Sequence, residues 1–310
     1  MGNTLIVSVD HGYKHMKTES EELFFPTCLS ELKSMPDSKK GILKYNNRIF
    51  TEHGEPVKNY DTQVKTDSDE FYILTLIALA KELRKRSIYN AEITLLGGLP
   101  QRWYDKQKES FKEYLLSGGE NVFFEYEGKP FNIVIREVQL FEQGYSAFFA
   151  LPNVINYLDC EACVVDIGGG TIDILPILNG ELQRMDCKID THATIWMNDE
   201  IKEAIETELA SHVSDSTIIK YITSGSISEP PKNKYEEVMQ EKLADYCDFV
   251  YSVLKKFRIN VDLVPIIFVG GGAIIMKNFT RNVPGTCEYV TDLCANAKGY
   301  KKIYELILKG

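Results

Sequence analysis

Two aspartates, each with a glycine two residues later, are the residues of this sequence best suited to chemistry. Asp10 lies in VSVDHGYK and Asp166 in VVDIGGGT, and each follows a run of apolar residues rich in valine. Because glycine has no Cβ, the backbone N–H groups of such a turn can converge on an anion. Each stretch therefore predicts a strand, a phosphate-binding turn and a return strand, although one glycine after a strand, taken alone, more often only makes a turn.

A third glycine turn supports the phosphate interpretation. The stretch from Ile266 to Ile275, IIFVGGGAII, is typical of a buried strand, a glycine turn and a helix whose N-terminus favours phosphates. None of the three turns fits the dinucleotide fingerprint, because Asp173 stands where the third glycine is required and that turn leads into a strand. The sequence therefore disfavours a nicotinamide-dependent dehydrogenase.

The two aspartates predict a bound cation. A carboxylate ~4 Å from a phosphate charge would be repelled by about 4 kcal/mol at an effective dielectric constant of about 20. We therefore expect Asp10 and Asp166 to face Mg²⁺, held through water and jointly with the phosphates. Lys17 follows Asp10 by seven residues on the predicted return strand, and we expect it to point at the β- or γ-phosphate.

Strands and helices mixed along the chain are predicted to carry these turns. Residue pairs at 46–47, 127–128 and 179–180 predict three hairpin turns. Helices are expected at 68–86 and 101–116, near 143, from about 193 and 234, after the third glycine turn and from about 299, with a mobile loop at 224–234. The similar order of elements around Asp10 and Asp166 predicts an internal duplication.

The composition limits the classes of function. A chain of 310 residues with 44% hydrophobic content can form two moderate domains, and it has no apolar run near the roughly 18 residues that span a bilayer. The net charge of −10 and the dispersed basic residues disfavour direct binding to duplex DNA, so an adaptor would be needed. Seven cysteines without regular spacing predict ordinary free thiols. We expect a cytoplasmic protein.

The three glycine motifs resemble those of the actin-like ATPases, which share an architecture with sugar kinases and heat-shock chaperone ATPases. VDHGYKHMK is similar to the first phosphate loop, VVDIGGGTIDI to the second and FVGGGAIIM to the adenosine motif. Other stretches, including DEFYILTLIALAKEL and CANAKGYKKIYELI, resemble plasmid-segregation actins of the ParM and StbA kind. The resemblance spans essentially the whole chain and is weakest between about 218 and 234.

The resemblance implies an α/β, actin-like fold of two related, ribonuclease H-like domains that flank a nucleotide cleft. The first domain is expected at 1–155, with a small subdomain inserted around 25–65. The second is expected at 156–310, with a last helix at about 299–310 that packs back on the first domain. The implied nucleotide contacts are Asp10, Gly12, Tyr13, Lys14, Lys17, Asp166, Gly168, Gly169, Gly170, Thr171, Gly270, Gly271, Gly272 and Ala273.

The function implied by the resemblance is a filament that hydrolyses ATP, or GTP, with Mg²⁺. Its expected partners are further copies of itself and an adaptor bound to a centromere-like site, so that plasmid DNA is moved only indirectly and no membrane is involved. Asp10 and Asp166 belong to the implied catalytic set, together with a residue that orients the attacking water. In LFEQGYSAFFA the resemblance assigns this role to Gln143, with Glu142 as the competing assignment, although both could simply cap a helix.

Two departures from the family pattern affect these assignments. Tyr13 stands where relatives often have serine, which favours a backbone N–H contact to phosphate over a hydroxyl contact. Glu142 stands where the connecting helix usually begins with proline. Catalytic detail is therefore less strongly specified by the motifs than nucleotide binding.

Other members of the superfamily remain as alternatives. A monomeric sugar kinase would need a catalytic base, for which Asp190 or Asp199 could serve. A chaperone-like ATPase would be expected to carry a substrate-binding domain after the last motif. A membrane-associated cell-shape actin homologue would be expected to have an amphipathic anchor, whereas the N-terminus leads directly into a buried strand.

Overall fold

The computed structural model describes residues 4–20, 23–57, 64–228 and 230–309. Contacts within the chain divide it into two units. Unit 1 comprises Met1–Ala150 with Cys294–Gly310, and unit 2 comprises Leu151–Leu293. Residues 151–155 thus group with unit 2, and the C-terminal segment groups with unit 1.

Unit 1 is built on one mixed sheet. Its strands are β1 (Leu5–His11), β2 (His15–Thr18), β3 (Phe24–Pro26), β4 (Cys28–Leu32), β5 (Ile42–Tyr45), β6 (Arg48–Pro56), β7 (Asn90–Leu99), β8 (Val122–Tyr126) and β9 (Lys129–Glu142). Its helices are α1 (Glu70–Lys85), α2 (Gln101–Leu116), α3 (Tyr145–Ala150) and, from the end of the chain, α8 (Ala295–Lys309).

Unit 2 has a smaller sheet and, among its described residues, four α-helices. Its strands are β10 (Glu161–Ile167), β11 (Ile172–Leu178), β12 (Glu181–Leu182), β13 (Lys188–Asp190), β14 (Ile266–Val269) and β15 (Cys287–Tyr289). Its α-helices are α4 (Thr194–Leu209), α5 (Asp215–Ser224), α6 (Asn233–Lys256) and α7 (Ala273–Phe279). Short 3-10 helices occur at Val154–Tyr157 and Arg184–Asp186.

The two sheets repeat one topology. In unit 1 the order is β3-β2-β1-β7-β9, and in unit 2 it is β12-β11-β10-β14-β15. In both, the first strand pairs antiparallel with the next strand in sequence and parallel with the strand on its other side. The predicted duplication into two related domains is confirmed. In unit 1 the sheet continues through β8, β5, β6 and β4, so that the strands between residues 28 and 56 extend its edge.

Three hairpins form where turn residues predicted them. Asn46 and Asn47 have φ of 49° and 62° between β5 and β6. The pairs at 127–128 and 179–180 likewise have both φ angles positive, in turns that join β8 to β9 and β11 to β12. Two left-handed residues match the twist of the flanking strands, which explains why Asn and Gly occupy these turns.

The helices depart from expectation mainly where signals were short. α2 has the predicted bounds, whereas α8 begins at Ala295 rather than near Gly299. Sequence reasoning missed α5, although Ser214 caps it by accepting a hydrogen bond from Thr217 N. The segment predicted as a mobile loop joins α5 to α6, and the Glu236 carboxylate accepts hydrogen bonds from Ser226 and Ile227 within it.

Helix α1 forms the centre of the unit 1 core. Every residue from Phe71 to Ala80 is buried, as expected of a helix that is apolar on all sides. Unit 2 has a separate core between its sheet and the helices α4, α6 and α7. None of the described helices combines the length and the apolar character needed to cross a bilayer.

Helix α8 packs closely against α3 and the central strands of unit 1. A Cβ on Gly299 would lie 1.8 Å from the Ser146 carbonyl oxygen, and one on Gly98 would lie 2.0 Å from the Tyr300 hydroxyl. At position 299 helix α8 therefore requires glycine, and at position 300 the tyrosine requires Gly98 opposite it. The helix is an integral part of unit 1.

We predict that Gly299→Ala destabilises the protein by about 1 to 3 kcal/mol, because the new methyl group would overlap backbone atoms that cannot move aside easily. Ile307→Ala is the matched control on the same helix, since Ile307 is 64% exposed, and should change stability by less than about 0.5 kcal/mol. Urea unfolding measures both. Equal stability of Gly299→Ala and the wild type would show that the α3–α8 contact is looser than described.

Candidate functional site

The first glycine turn places a buried carboxylate at the end of β1. Asp10 pairs with Lys17 across β1 and β2 and is 1% exposed. Lys17 Nζ lies 3.0 Å from one carboxylate oxygen. Gln143 Nε2 donates to the other oxygen at 2.6 Å, and the Tyr300 hydroxyl lies 3.3 Å from it. Three other parts of unit 1, the neighbouring strand β2, the end of β9 and helix α8, therefore meet at this carboxylate.

The partners of Asp10 keep it ionised. Burial raises the pKa of the carboxyl group, but the Lys17 charge and hydrogen bond, the Lys65 charge and the Gln143 amide outweigh it, so the pKa lies below its ordinary value. Lys17 is bonded to Asp10 here, and its contact with a phosphate remains a prediction. A charged carboxylate at a strand end can hold a hydrated cation.

The turn after Asp10 requires glycine at position 12 and packs its tyrosine ring against the core of unit 1. A Cβ on Gly12 would lie 2.5 Å from the His15 carbonyl oxygen, so only glycine fits without a shift. The Tyr13 ring packs on the unit 1 core, edge to face with Phe71. Lys14 is exposed. The Tyr13 side chain thus packs on the core of unit 1, and the contact of its backbone N–H with a phosphate remains a prediction.

His11, inside this turn, is fully buried and neutral. Its Nε2 lies 2.9 Å from the Thr75 hydroxyl oxygen. The Thr75 hydroxyl donates to the Phe71 carbonyl at 2.6 Å, so His11 Nε2 carries the proton and donates to Thr75. Burial, with the Lys65 charge, lowers the pKa of His11 to about 3.

Lys65 is a site residue that sequence reasoning missed. It is 1% exposed and its Nζ donates to the His11 carbonyl at 2.6 Å. Burial lowers its pKa to about 8, while the Asp10 carboxylate acts in the opposite direction. In the sequence, Lys65 lies among polar residues before a helix, where a lysine is ordinarily exposed. No local pattern could have identified it.

The second glycine turn repeats the hairpin with different charges. Asp166 pairs with Asp173 across β10 and β11, at the register position that Lys17 occupies opposite Asp10. The Thr171 hydroxyl donates to Asp173 at 2.7 Å. This turn therefore presents two acids where the first presents an acid and a base, and Asp173 is the second residue that sequence reasoning did not assign to the site.

The start of α4 fixes the second turn. The Thr194 backbone N–H and hydroxyl both donate to the Gly168 carbonyl, at 3.3 and 3.1 Å. Ile195 N donates to the Gly169 carbonyl at 3.0 Å. With their carbonyls held by α4, the turn residues keep a defined backbone conformation.

Four glycines of the second and third turns form two groups. Cβ atoms on Gly270 and Gly272 would lie 2.3 Å from the Asp166 carboxylate and 2.2 Å from the Ile167 side chain, so these glycines allow the third turn to pack on the end of β10. By contrast, a Cβ on Gly170 or Gly271 would meet no described atom within 4 Å. Packing in the described residues does not require glycine there, which fits a cradle kept open for a ligand.

The third glycine turn lies next to Asp166. Gly272 N donates to the Ile167 carbonyl at 3.0 Å, and Ala273 begins α7. The structure thus places Asp166, the second turn and the third turn together in unit 2. It places Asp10, the first turn and Gln143 together in unit 1.

The structure distinguishes the two candidates for the water-orienting role. Gln143 donates to Asp10, whereas Glu142 is the last residue of β9, 6% exposed, with its carbonyl bonded by Ser146. Helix α3 begins only at Tyr145. The Gln143 side chain thus contacts Asp10, and its role in orienting water remains a prediction.

The donor set fits magnesium bound together with phosphate. In the described ranges, no group of three or more His, Cys, Asp or Glu side chains could hold a metal ion by itself. The first turn offers one carboxylate, Asp10, and the second offers two, Asp166 and Asp173. Mg²⁺ in nucleotide sites takes only one or two carboxylates and retains water.

Two family models match the chain. The model for the N-terminal domain of actin-like proteins matches residues 8–145. The model for the C-terminal domain of the archaeal, MreB-like actin homologues matches residues 164–281. The chain belongs to the actin-like proteins.

Solved structures of similar fold extend over the whole of this actin-like chain. An archaeal actin homologue has a TM-score of 0.78 and 18% identity, covering 98% of this chain and 100% of its own. The Alp12 filament structure has a TM-score of 0.72, 15% identity and 99% coverage of both chains. ParM from Bacillus thuringiensis with ATP has a TM-score of 0.71, 16% identity and coverage of 99% and 100%. The predicted actin-like fold is confirmed.

The comparison with curated proteins gives no significant match. The activity of this actin-like chain therefore has to be argued from its own residues.

The buried His11 predicts a pH dependence of stability. Its pKa is lowered from 6.5 to about 3, so between these values the unfolded chain binds a proton that the folded chain does not. Stability present above pH 6.5 is therefore lost as the pH falls towards 3. Relative to His11→Gln, the free energy of unfolding of the wild type should fall by up to about 1.4 kcal/mol per pH unit. Urea unfolding across this range, without metal or nucleotide, measures the difference, and parallel curves would contradict a neutral buried His11.

Proposed function

We propose that this actin-like chain binds a Mg²⁺-nucleoside triphosphate, hydrolyses it and polymerises into filaments that segregate plasmid DNA. The observation that carries the proposal is the duplicated hairpin, with Asp10 and Asp166 at equivalent strand ends and Gln143 bonded to Asp10. ATP is the favoured nucleotide, and GTP is the alternative. The solved structures of ParM with ATP and of the Alp12 filament support both parts of the proposal.

In this proposal the three turns hold one nucleotide. Backbone N–H groups at Gly12 to Lys14 and at Gly169 to Thr171 would bind the β- and γ-phosphates, with Lys17 as a compensating charge. Gly168, whose N–H donates to the Thr171 carbonyl at 2.9 Å, would close the second turn. Gly270 to Ala273 would lie against the base and ribose. Asp10 and Asp166 would hold Mg²⁺ through water, and the ion would neutralise charge on the phosphate oxygens.

Gln143 would orient the attacking water. Its amide N–H₂ is committed to Asp10 at 2.6 Å, which fixes the side chain and leaves its carbonyl oxygen as a hydrogen-bond acceptor. An acceptor in a fixed position can hold a water by its proton and align the oxygen for attack. Phosphoryl transfer depends mainly on such positioning and on charge stabilisation, so one amide can suffice.

The partners proposed for the filament are further copies of this chain and an adaptor that binds a centromere-like DNA site. The net charge of −10 favours an adaptor over direct DNA contact. The alternative kinase bases are engaged elsewhere: Asp190 accepts hydrogen bonds from His192 N and Nδ1 at 2.9 and 2.8 Å, and Asp199 lies 3.4 Å from Lys202. The segregation filament is therefore preferred.

The first experiment is right-angle light scattering and pelleting after addition of MgATP, with MgGTP and no nucleotide as controls. We expect a nucleotide-dependent rise that decays as phosphate is released. Gln143→Ala should bind nucleotide and polymerise but release phosphate about 100-fold more slowly, since one positioning contact is lost. Its filaments should therefore outlast those of the wild type.

Gln139→Ala is the matched control, because Gln139 lies on β9 and is bonded to Glu137 rather than to Asp10. It should release phosphate at the wild-type rate. Nucleotide binding without any polymer would contradict the filament, and normal hydrolysis by Gln143→Ala would contradict the role of Gln143.

The open glycines provide a separate test of nucleotide binding. Gly170→Ala adds a methyl group that meets no described atom within 4 Å, so it should leave thermal stability unchanged and weaken MgATP binding at least about tenfold by filling the cradle. Gly272→Ala should instead lower stability, because its Cβ would lie 2.2 Å from Ile167. Unchanged affinity in Gly170→Ala, by calorimetric titration, would remove the second turn from the site.

A further inference from the structure

Lys65 is a buried cation attached to the backbone of the first turn. Its ammonium donates to the His11 carbonyl at 2.6 Å and lies 4.9 Å from the centre of the Tyr13 ring and 5.6 Å from that of Phe71. It is 1% exposed. Neither a carbonyl nor an aromatic ring carries a full negative charge, so these contacts alone do not neutralise it.

Burying the Lys65 ammonium costs free energy that other groups must offset. An unpaired ammonium removed from water is strongly disfavoured unless hydrogen bonds and opposite charges compensate it. Among the described residues, the negative charge that acts on Lys65 is the Asp10 carboxylate, which also has Lys17 as an ion-pair partner at 3.0 Å. Asp10, Lys17 and Lys65 together therefore carry one positive charge in excess.

We propose that Lys65 sets the preference of the first turn for a nucleoside triphosphate over a diphosphate, by fixing the His11 carbonyl and supplying this excess positive charge. The inference rests on the proposed function and goes beyond it by naming the residue that distinguishes the two nucleotides. The triphosphate carries the additional negative charge. A positive charge buried behind the turn is screened weakly by salt, and thus favours the more negative ligand.

Lys65 acts as a positioning residue and does not need to touch the nucleotide. Its hydrogen bond holds the residue between Asp10 and Gly12, and Thr27 holds the next carbonyl, that of Gly12, at 2.7 Å. Two consecutive carbonyls are thus turned towards the interior of unit 1. The backbone conformation of the turn is set before any ligand binds, which lowers the entropy cost of binding.

Two variants separate the charge from the hydrogen bond. Lys65→Met removes both and keeps an apolar stem, whereas Lys65→Gln keeps a donor and removes the charge. Lys81→Met is the matched control, since Lys81 Nζ also lies over two rings, 5.0 Å from Phe25 and 5.5 Å from Tyr126, but is paired with Glu52 away from the turn. Thermal unfolding identifies the variants that are folded.

The measurement is the ratio of the dissociation constants of MgADP and of Mg²⁺ with the non-hydrolysable analogue AMPPNP, by calorimetric titration below the polymerising concentration. We expect both Lys65 variants to lower the ratio about tenfold, equivalent to about 1.4 kcal/mol, and Lys81→Met to leave it within about twofold. If Lys65→Met does not fold, Lys65→Gln decides.

An unchanged ratio in the folded Lys65 variants overturns the proposal, as does an equal fall in Lys81→Met. A fall in Lys65→Met alone, with Lys65→Gln unchanged, would assign the effect to the hydrogen bond to the His11 carbonyl and overturn the part of the proposal that rests on the charge. Failure of the wild type to bind either nucleotide is a different result, because it overturns the proposed function itself.

Discussion

The buried carboxylate of Asp10 is the constraint around which unit 1 is assembled. An ionised carboxylate at 1% exposure is tolerated only if charges and hydrogen bonds replace its lost hydration. Its partners come from β2, from the segment before α1, from the end of β9 and from α8, through Lys17, Lys65, Gln143 and Tyr300. The sheet order and the return of the C-terminal helix bring these groups together. The fold of unit 1 and the charge at its first turn are therefore aspects of one arrangement.

Unit 2 has the same hairpin as unit 1 but with different charges. At the register position where Lys17 neutralises Asp10, Asp173 stands opposite Asp166. The duplicated hairpins thus present an internally paired acid in one unit and a pair of acids in the other. The two hairpins share their geometry and differ in charge at this one register position.

The backbone carbonyls of both turns accept hydrogen bonds from neighbouring residues. Lys65 and Thr27 hold the carbonyls of His11 and Gly12, and the start of α4 holds those of Gly168 and Gly169. Gly168 N is also bonded, to the Thr171 carbonyl at 2.9 Å. The other backbone N–H groups of the two turns are the groups proposed to bind an anion. This common feature links the proposed nucleotide site in the two units to the proposed role of Lys65.

The sequence by itself determined the local features: the glycine turns, the three hairpins and the duplicated strand order. These depend on backbone conformations that Gly and Asn adopt readily, and on strands of apolar residues, so short stretches suffice to specify them. Only the tertiary structure decided that Gln143 rather than Glu142 contacts Asp10, that Asp173 faces Asp166 and that Lys65 is buried. Each of these depends on contacts between residues far apart in the chain, and the burial of a lysine in particular is set by what packs around it rather than by its neighbours in sequence.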